Sequence, residues 1–546
     1  NNASGFSNQS NGVVNNHSIF NNQEHSTFNN KDNASFVNDE TASLNNDGTL
    51  SNRAGATLTN KGIITNNATG TLNNAGALIN SNTSEFANDG TLSNQAGGTL
   101  TNQGIIRNNT IATLNNTGNL INSDSGQFAN AGTFNNNENG QFLNNGVFAN
   151  GGVLNNKGTF TSTLYSTMAN YGVINNQGQF IAQGEFINGS VMNNGQFLID
   201  DYADFTNVNT LINTSDGTLN LKGKLLNQKY SPSNITNEGE FNMSYYSQLD
   251  NETLFTNSAS GTLTNDGTLN NSGTLANNGT LINHRQINNT GAFSTSGQLT
   301  NYNYISNTGS AEMTLSSTGT MTNRGMLSND ARLINYGVIN NAINGTINNT
   351  EEFFNNGTLN SDGAINSVGL QNTGTIVNAG TLTSYWLLDN ENTITNTGVI
   401  NNNDTSTFNN FATVTNLAGG NIVNTGVFVN SGTVENAGTL TNASVLKNKV
   451  GATLNNTGVL NNNDEFIVEG VLSNSGQLTN STSGDLNVAS SGQINNSGRF
   501  ISDNRLTNAG RITNNTGALF NNTGEFYNNN TFANAGEFNT LAMENN

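Results

Sequence analysis

Gly48 to Asn67 reads GTLSNRAGATLTNKGIITNN, and 42 residues further on Gly90 to Asn109 reads GTLSNQAGGTLTNQGIIRNN, identical at 16 of 20 positions. Inside each copy lies a shorter unit, G-x-Φ-x-N, where Φ is Leu, Ile, Val, Phe or Met. The anchors Leu50, Leu58, Ile64, Leu72, Leu78, Phe86 and Leu92 are spaced alternately by 8 and 6 residues. From Leu263 through Leu269, Leu275, Leu281, Ile287, Phe293 and Leu299 to Ile305 the spacing settles at 6. The anchor can be followed from Phe6 to Phe538 with no boundary between domains. Self-similarity at a fixed short period is the mark of a repeat architecture. It predicts one continuous repeat domain over 1–546, with an irregular insertion near 226–234.

The spacing selects strands over helices. Along a strand, residues two apart share a face, so Gly48, Leu50 and Asn52 are expected to point inward and Thr49 and Ser51 outward. Gaps of 6 and 8 preserve that assignment, whereas a gap of 7 would turn the inward set to solvent; odd gaps are almost absent. Thr, Val and Ile before the anchor suit a pleated strand. The N-x-G that follows suits a tight corner, on the expectation that Asn and Gly there adopt positive φ.

One large apolar residue per strand cannot form a core alone, so each coil must stack on its copies. Stacking places Leu over Leu and Asn over Asn about 4.8 Å apart, and the inward Asn amides then satisfy each other along the stack. A 42-residue repeat divides into coils of 22 and 20, which favours three strands per coil. The predicted fold is all-β: a three-sided parallel β-solenoid of about 27 coils of 18–22 residues.

Composition fits this and removes other classes. Hydrophobic residues make up 33% and charged residues 10%, with 60 Gly and a single Pro, too little apolar matter for thick globular cores. A net charge of −20 offers no footprint for nucleic acid or an anionic bilayer. No run of 18 apolar residues occurs, so no membrane insertion is expected. The absence of Cys excludes disulfides and thiolate chemistry. The opening Asn1-Asn2-Ala3, with neither Met nor an apolar signal region, is read as the start of a processed segment.

The tandem G-[TVAQ]-[LIF]-x-N units resemble the β-solenoid repeats of filamentous-haemagglutinin-type adhesins and autotransporter passengers, over essentially the whole chain. The resemblance implies a secreted or surface-exposed bacterial or archaeal protein serving adhesion or an extracellular matrix. The 6-residue period also resembles left-handed hexapeptide helices. Those favour a small residue directly after the anchor, where this chain has Ser, Thr, Asn, Ile or Ala, so the right-handed coil that the first resemblance implies is favoured, with handedness left open.

Residues with chemical potential are few. His17, His25 and His284 are scattered without metal spacing, and are read as surface residues. The most charged stretch holds Asp200, Asp201 and Asp204 followed by Lys222, Lys224 and Lys229. Pro232 then falls in a gap of 10 between Leu225 and Ile235. Acids and a base on one face of a β-helix are the raw material of a polysaccharide-cleaving site. Pairing of acids and bases between adjacent coils is the simpler reading, with Asp204 and Lys224 expected to stack outward about 5 Å apart. Outward Thr-x-Thr positions raise a third possibility, binding of ice or another crystalline surface. Counted in threes from Leu50, the Thr-flanked anchors Leu58, Leu100, Phe160, Leu263, Met321, Ile394 and Val414 fall on one face, and Leu382 and Leu440 on another.

The expectation is therefore a non-enzymatic extracellular β-solenoid forming a cell-surface fibre, sheath or adhesive matrix. No catalytic, cofactor or metal site is expected. The alternative is a polysaccharide-binding or polysaccharide-degrading β-helix. The expected partner is a second copy, stacked head to tail, because the first and last coils around Val14 and Phe532 look like those in the middle; cell-surface glycans are a further candidate.

Overall fold

A computed structural model describes residues 1–229 and 232–545. Tyr230 and Ser231, within the expected 226–234 insertion, lie outside the described residues. The chain divides into two compact units, Asn1–Arg285 and Gln286–Asn546, and the repeat runs through both. Among the described residues there is no helix; the elements are strands, most of them four residues long.

In the first unit every strand pairs in parallel with a strand 17 to 24 residues away, two other strands intervening where each is separate. Thr49–Asn52 pairs with Thr71–Asn74, Thr57–Asn60 with Ala77–Asn80, and Ile63–Asn66 with Glu85–Asn88. These define a first, a second and a third column of strands. The first and third belong to one sheet and the second to another. They merge where Glu185–Asn193 and Asp204–Asn213 run through a corner without a break. In the second unit the same merging extends over consecutive coils, from Tyr304–Leu315 through Met326–Asn335, Thr346–Asn355 and Ala364–Asn372 to Thr381–Asn390. The second column holds 27 strands across the two units, the number of coils expected from the anchors. The expected one-to-one register holds: Leu50 lies beside Leu72, and Asn52 beside Asn74.

Burial alternates as the sequence predicts. Thr49, Leu50, Ser51 and Asn52 are half-buried, buried, half-buried and buried, and the anchors Leu58, Ile64, Leu72 and Phe86 are fully enclosed. Odd gaps occur at Phe186 to Val191 and at Ile365 to Leu370. Both fall inside strands that run through a corner, and a register shift between Asn188 and Ser190, or between Ser367 and Gly369, absorbs the odd residue.

The corners correct one expectation. Positive φ is confined to longer corners, as at Gly55 (81°) and Gly97 (79°), and to residues near the amino terminus such as Asn11 (60°). The glycine of the short N-x-G corner does not adopt it. It is required because the chain passes directly over the corner of the coil before. At Gly178 a Cβ would lie 2.6 Å from the carbonyl carbon of Lys157, and at Gly62 it would strike the carbonyl oxygens of Asp39 and Ala42. Close backbone approach, not handedness of φ, fixes these glycines.

Inward asparagines form hydrogen-bonded ladders. In the second column of the first unit, Asn38, Asn60, Asn80, Asn102 and Asn122 each donate Nδ2–H to Oδ1 of the asparagine one coil on, ending at Asn144, at 2.7–2.9 Å. The second amide proton goes to a backbone carbonyl, as from Asn102 to Gln127 O at 3.0 Å. Fully buried amides are thereby satisfied, which burial demands. Where serine replaces asparagine the ladder fails by one bond. Ser361, Ser384 and Ser502 precede Asn378, Asn402 and Asn522 in register. The Oδ1 atoms of those three asparagines are buried without a partner, because the shorter hydroxyl is spent elsewhere, as from Ser361 to Gly363 O at 3.2 Å.

Candidate functional site

The second column of the first unit changes character at the sixth to tenth ladder positions counted from Asn60. After Asn144 the inward place at the strand end is taken by Ser162, Ala182, Ile199, Leu221 and Met243 in five successive coils, and asparagine returns only at Asn265. All five are buried. Aromatic anchors accompany them: Phe142 to Phe160 at 4.6 Å between ring centroids, Phe160 to Phe180 at 4.5 Å, and Phe180 to Phe197 at 4.9 Å. The ladder thus gives way to a dry stack.

The charged residues singled out in the sequence lie on the corner that follows this stretch, or just beyond it. Asp200 and Lys222 occupy successive coils and pair at 3.4 Å. Burial opposes the charge on Asp200, but the Gln183 amide at 3.0 Å, the Asp201 backbone N–H and Lys222 outweigh it and hold the carboxyl below its ordinary range. Asp204 and Lys224 are register partners, both outward, as expected. No ion pair within 4.0 Å joins them among the described residues; the pair forms one step earlier, at the corner. Lys229 sits apart, its backbone N–H bonded to Glu252 at 3.0 Å. Cross-coil pairing of this kind recurs, as between Arg332 and both Glu312 and Glu352 (3.4 and 3.5 Å) and between Lys447 and Glu469 (3.0 Å). The charges of 199–230 therefore follow the general surface pattern.

Each histidine lies at the surface beside an acid: His17 by Asp39, His25 by Glu24 at 3.7 Å, and His284 by Asp266 at 2.6 Å. Among the described residues no three His, Asp or Glu side chains gather as a metal site would need. The Thr-x-Thr strands fall in the second column of their units: Leu58, Leu100, Phe160 and Leu263 in the first, Met321, Ile394 and Val414 in the second. Leu382 and Leu440 lie in the other sheet. Among the described residues, whole Thr-x-Thr strands adjoin at Thr393–Thr395 beside Thr413–Thr415; the threonines before the anchor continue in single file from Thr358 through Thr375, Thr393, Thr413 and Thr433 to Thr453, whereas Val377 and Glu435 interrupt the file of Thr395 and Thr415. The two-file arrangement therefore spans two coils, beside a single file that spans six.

Two features escaped the sequence reading. In the second unit a cleft of about 150 Å³ is lined by Glu351, Glu352, Phe354, Gln371 and Trp386, and Trp386, 66% exposed, is the sole tryptophan. In the first unit, the corners after the second column carry Tyr165, Tyr202 and Tyr246, 92%, 78% and 88% exposed. The legible signal was the loss of asparagine before these corners, which tracking the apolar anchors alone overlooks.

No known protein family matches the chain, and no curated protein matches it. Among solved structures, a crystal structure described as the TibC-catalyzed hyper-glycosylated TibA55-350 fragment is similar at 15% identity and a TM-score of 0.16, covering 66% of this chain and 99% of that one. The fold stands on its own strand pairings, and this likeness adds nothing to it.

Proposed function

We propose that this chain is a non-enzymatic structural protein of the cell surface or extracellular space, a β-solenoid subunit of a fibre, sheath or adhesive layer. The observation that carries the reading is the equivalence of its coils. Within each unit a strand meets its neighbour anchor beside anchor, and in most coils Asn beside Asn. A coil edge of this kind is complementary to a coil edge of a second copy. Such a contact is heterologous and does not close, so it propagates, with the ladder continuing from copy to copy. Among the described residues most corners have the minimal two- or four-residue length, whereas catalytic clefts are commonly built from long loops.

Sedimentation velocity over a wide concentration range, with negative-stain microscopy, tests the assembly. Filaments that lengthen with concentration are expected, and bundling should increase with salt because −20 charges keep the subunits apart. A stable monomer at high concentration would overturn end-to-end assembly.

A further inference from the structure

Four-residue corners in this protein share one construction. The first residue receives a backbone bond from the fourth, and the third, when it is Ser or Thr, in most corners donates its hydroxyl to a carbonyl of the preceding coil, Thr41 and Thr83 being exceptions. Examples are Ser125 to Gln103 O at 2.9 Å, Ser260 to Glu238 O at 2.8 Å, Thr318 to Ser296 O at 2.9 Å and Ser491 to Glu469 O at 2.9 Å. Along the corner after the second column of the first unit, the third residue is successively Thr41, Thr83, Ser125, Tyr165, Tyr202 and Tyr246. The backbone of the last three corners is unchanged: Ser166 N–H to Thr163 O at 3.0 Å, Ala203 to Asp200 at 3.0 Å, and Ser247 to Ser244 at 3.0 Å. Three tyrosines have replaced the small hydroxyl residues of the earlier corners, of which Ser125 braces the coil. The exchange coincides with the five coils in which the asparagine ladder is replaced by apolar side chains.

The geometry points to a ligand-binding ridge, and we propose that its ligand is an uncharged, extended, β-linked polysaccharide lying along the row of Tyr165, Tyr202 and Tyr246. The tyrosines occur on every second coil, so they repeat at about 9.5 Å, two strand spacings. That rise is on the order of the disaccharide repeat of an extended β-linked glycan, and phenol rings offer flat faces to the C–H faces of pyranose rings. Between them, Gln183, Asp201 and the Asp200–Lys222 pair supply donors and acceptors for hydroxyl groups. These corners carry two carboxylates and one ammonium, one net negative charge, which gives little pull on a polyelectrolyte. A row one residue wide suits a linear polymer, whereas a globular partner needs about 800 Å² of surface. The rings stand on a fixed backbone; Tyr246 packs edge-on against Tyr245 (4.9 Å, 87°), and the Arg285 guanidinium caps Tyr245 at 4.2 Å. The Tyr246 ring is thereby held before any ligand binds, which lowers the ordering cost at that position.

The inference deepens the reading of the chain as an adhesive surface protein, but its test does not depend on filaments forming. Depletion of the full chain onto amorphous cellulose and onto chitin is the measurement. Tyr165→Thr, Tyr202→Thr and Tyr246→Thr restore the residue type found at earlier corners, so the fold is retained, as circular dichroism will verify. Saturable binding to one of the two polymers is expected, weakened about twofold to fivefold by each single change and more than about tenfold by the three together. Tyr171→Thr, exposed on a different corner, should bind as the wild type does. Binding to neither polymer, or equal binding by the triple variant, overturns the proposal. A triple variant that binds normally yet no longer self-associates assigns the ridge to contacts between copies instead.

Discussion

The second column of the first unit contains two stretches built on the same backbone with opposite interiors. From Asn60 to Asn144 the strand ends carry a continuous amide ladder, each asparagine bonded to the next at 2.7–2.8 Å. From Ser162 to Met243 the same places are small or apolar. The strand pairing is indifferent to the exchange: four residues remain in register on either side. Two different solutions to burial therefore fit one coil, a satisfied polar column or a dry one. What fails is a mixture, as the unpartnered oxygens of Asn378, Asn402 and Asn522 above serines show.

Both solutions depend on which face of the strand points inward, and breaking that alternation should have the largest effect. Leu275 is fully buried beside Phe255, whereas its neighbour Thr274 is exposed. Leu275→Asp places an unpaired carboxylate in the core and should destabilise the first unit by more than about 4 kcal/mol. Thr274→Asp should shift the denaturation midpoint by no more than about 0.5 kcal/mol. Equal shifts in a denaturant titration followed by circular dichroism would refute the inward and outward assignment.

Reciprocal exchanges probe the two interiors directly. Asn102→Leu removes a partner from Asn80 and from Asn122, leaving a donor and an acceptor buried. Leu221→Asn puts an amide between Ile199 and Met243, which offer it nothing. Each should cost about 1–3 kcal/mol, although each inserts the residue native to the other stretch. If Leu221→Asn proved neutral in hydrogen-exchange protection of the surrounding strands, the dry column would be a matter of chance.

Much of this was legible in the sequence, because period and parity are carried by every coil. The anchors, the inward asparagines, the register and the second-column placement of Leu58, Leu100 and Phe160 all follow from counting. The corner glycines were not, since a contact between Gly178 and the backbone of Lys157 depends on the coil before and leaves the same N-x-G signature as a positive φ. Nor was the tyrosine row. Tyr165, Tyr202 and Tyr246 are 37 and 44 residues apart, and only the coil path turns those unequal separations into an even spacing.

Ladder repair is a smaller effect and of opposite sign. Ser361→Asn restores a donor to the buried Oδ1 of Asn378 and keeps the bond from Asn341, which now reaches the Ser361 hydroxyl at 3.2 Å. A gain of about 0.5–1.5 kcal/mol is expected, read as a raised melting temperature. A loss would mean that the coil at Ser361 lacks room for the amide.

The smallest effect belongs to the corner pair beside the dry column. The Asp200 carboxyl is opposed by burial but favoured more strongly by Gln183, the Asp201 N–H and Lys222, so its folded pKa lies below that of the unfolded chain. As pH falls the unfolded state therefore takes up the proton first, and folding weakens. The contribution is complete above the unfolded carboxylate value of about 3.9 and disappears as pH drops through the lower folded value. Water reaches both partners, so the amount is well under about 1 kcal/mol. Asp200→Asn should accordingly melt slightly below the wild type near about pH 7, and the gap should narrow as pH falls below the unfolded carboxylate value of about 3.9. A gap that stays the same as pH falls would show that Asp200 acts through packing of the corner and not through its charge.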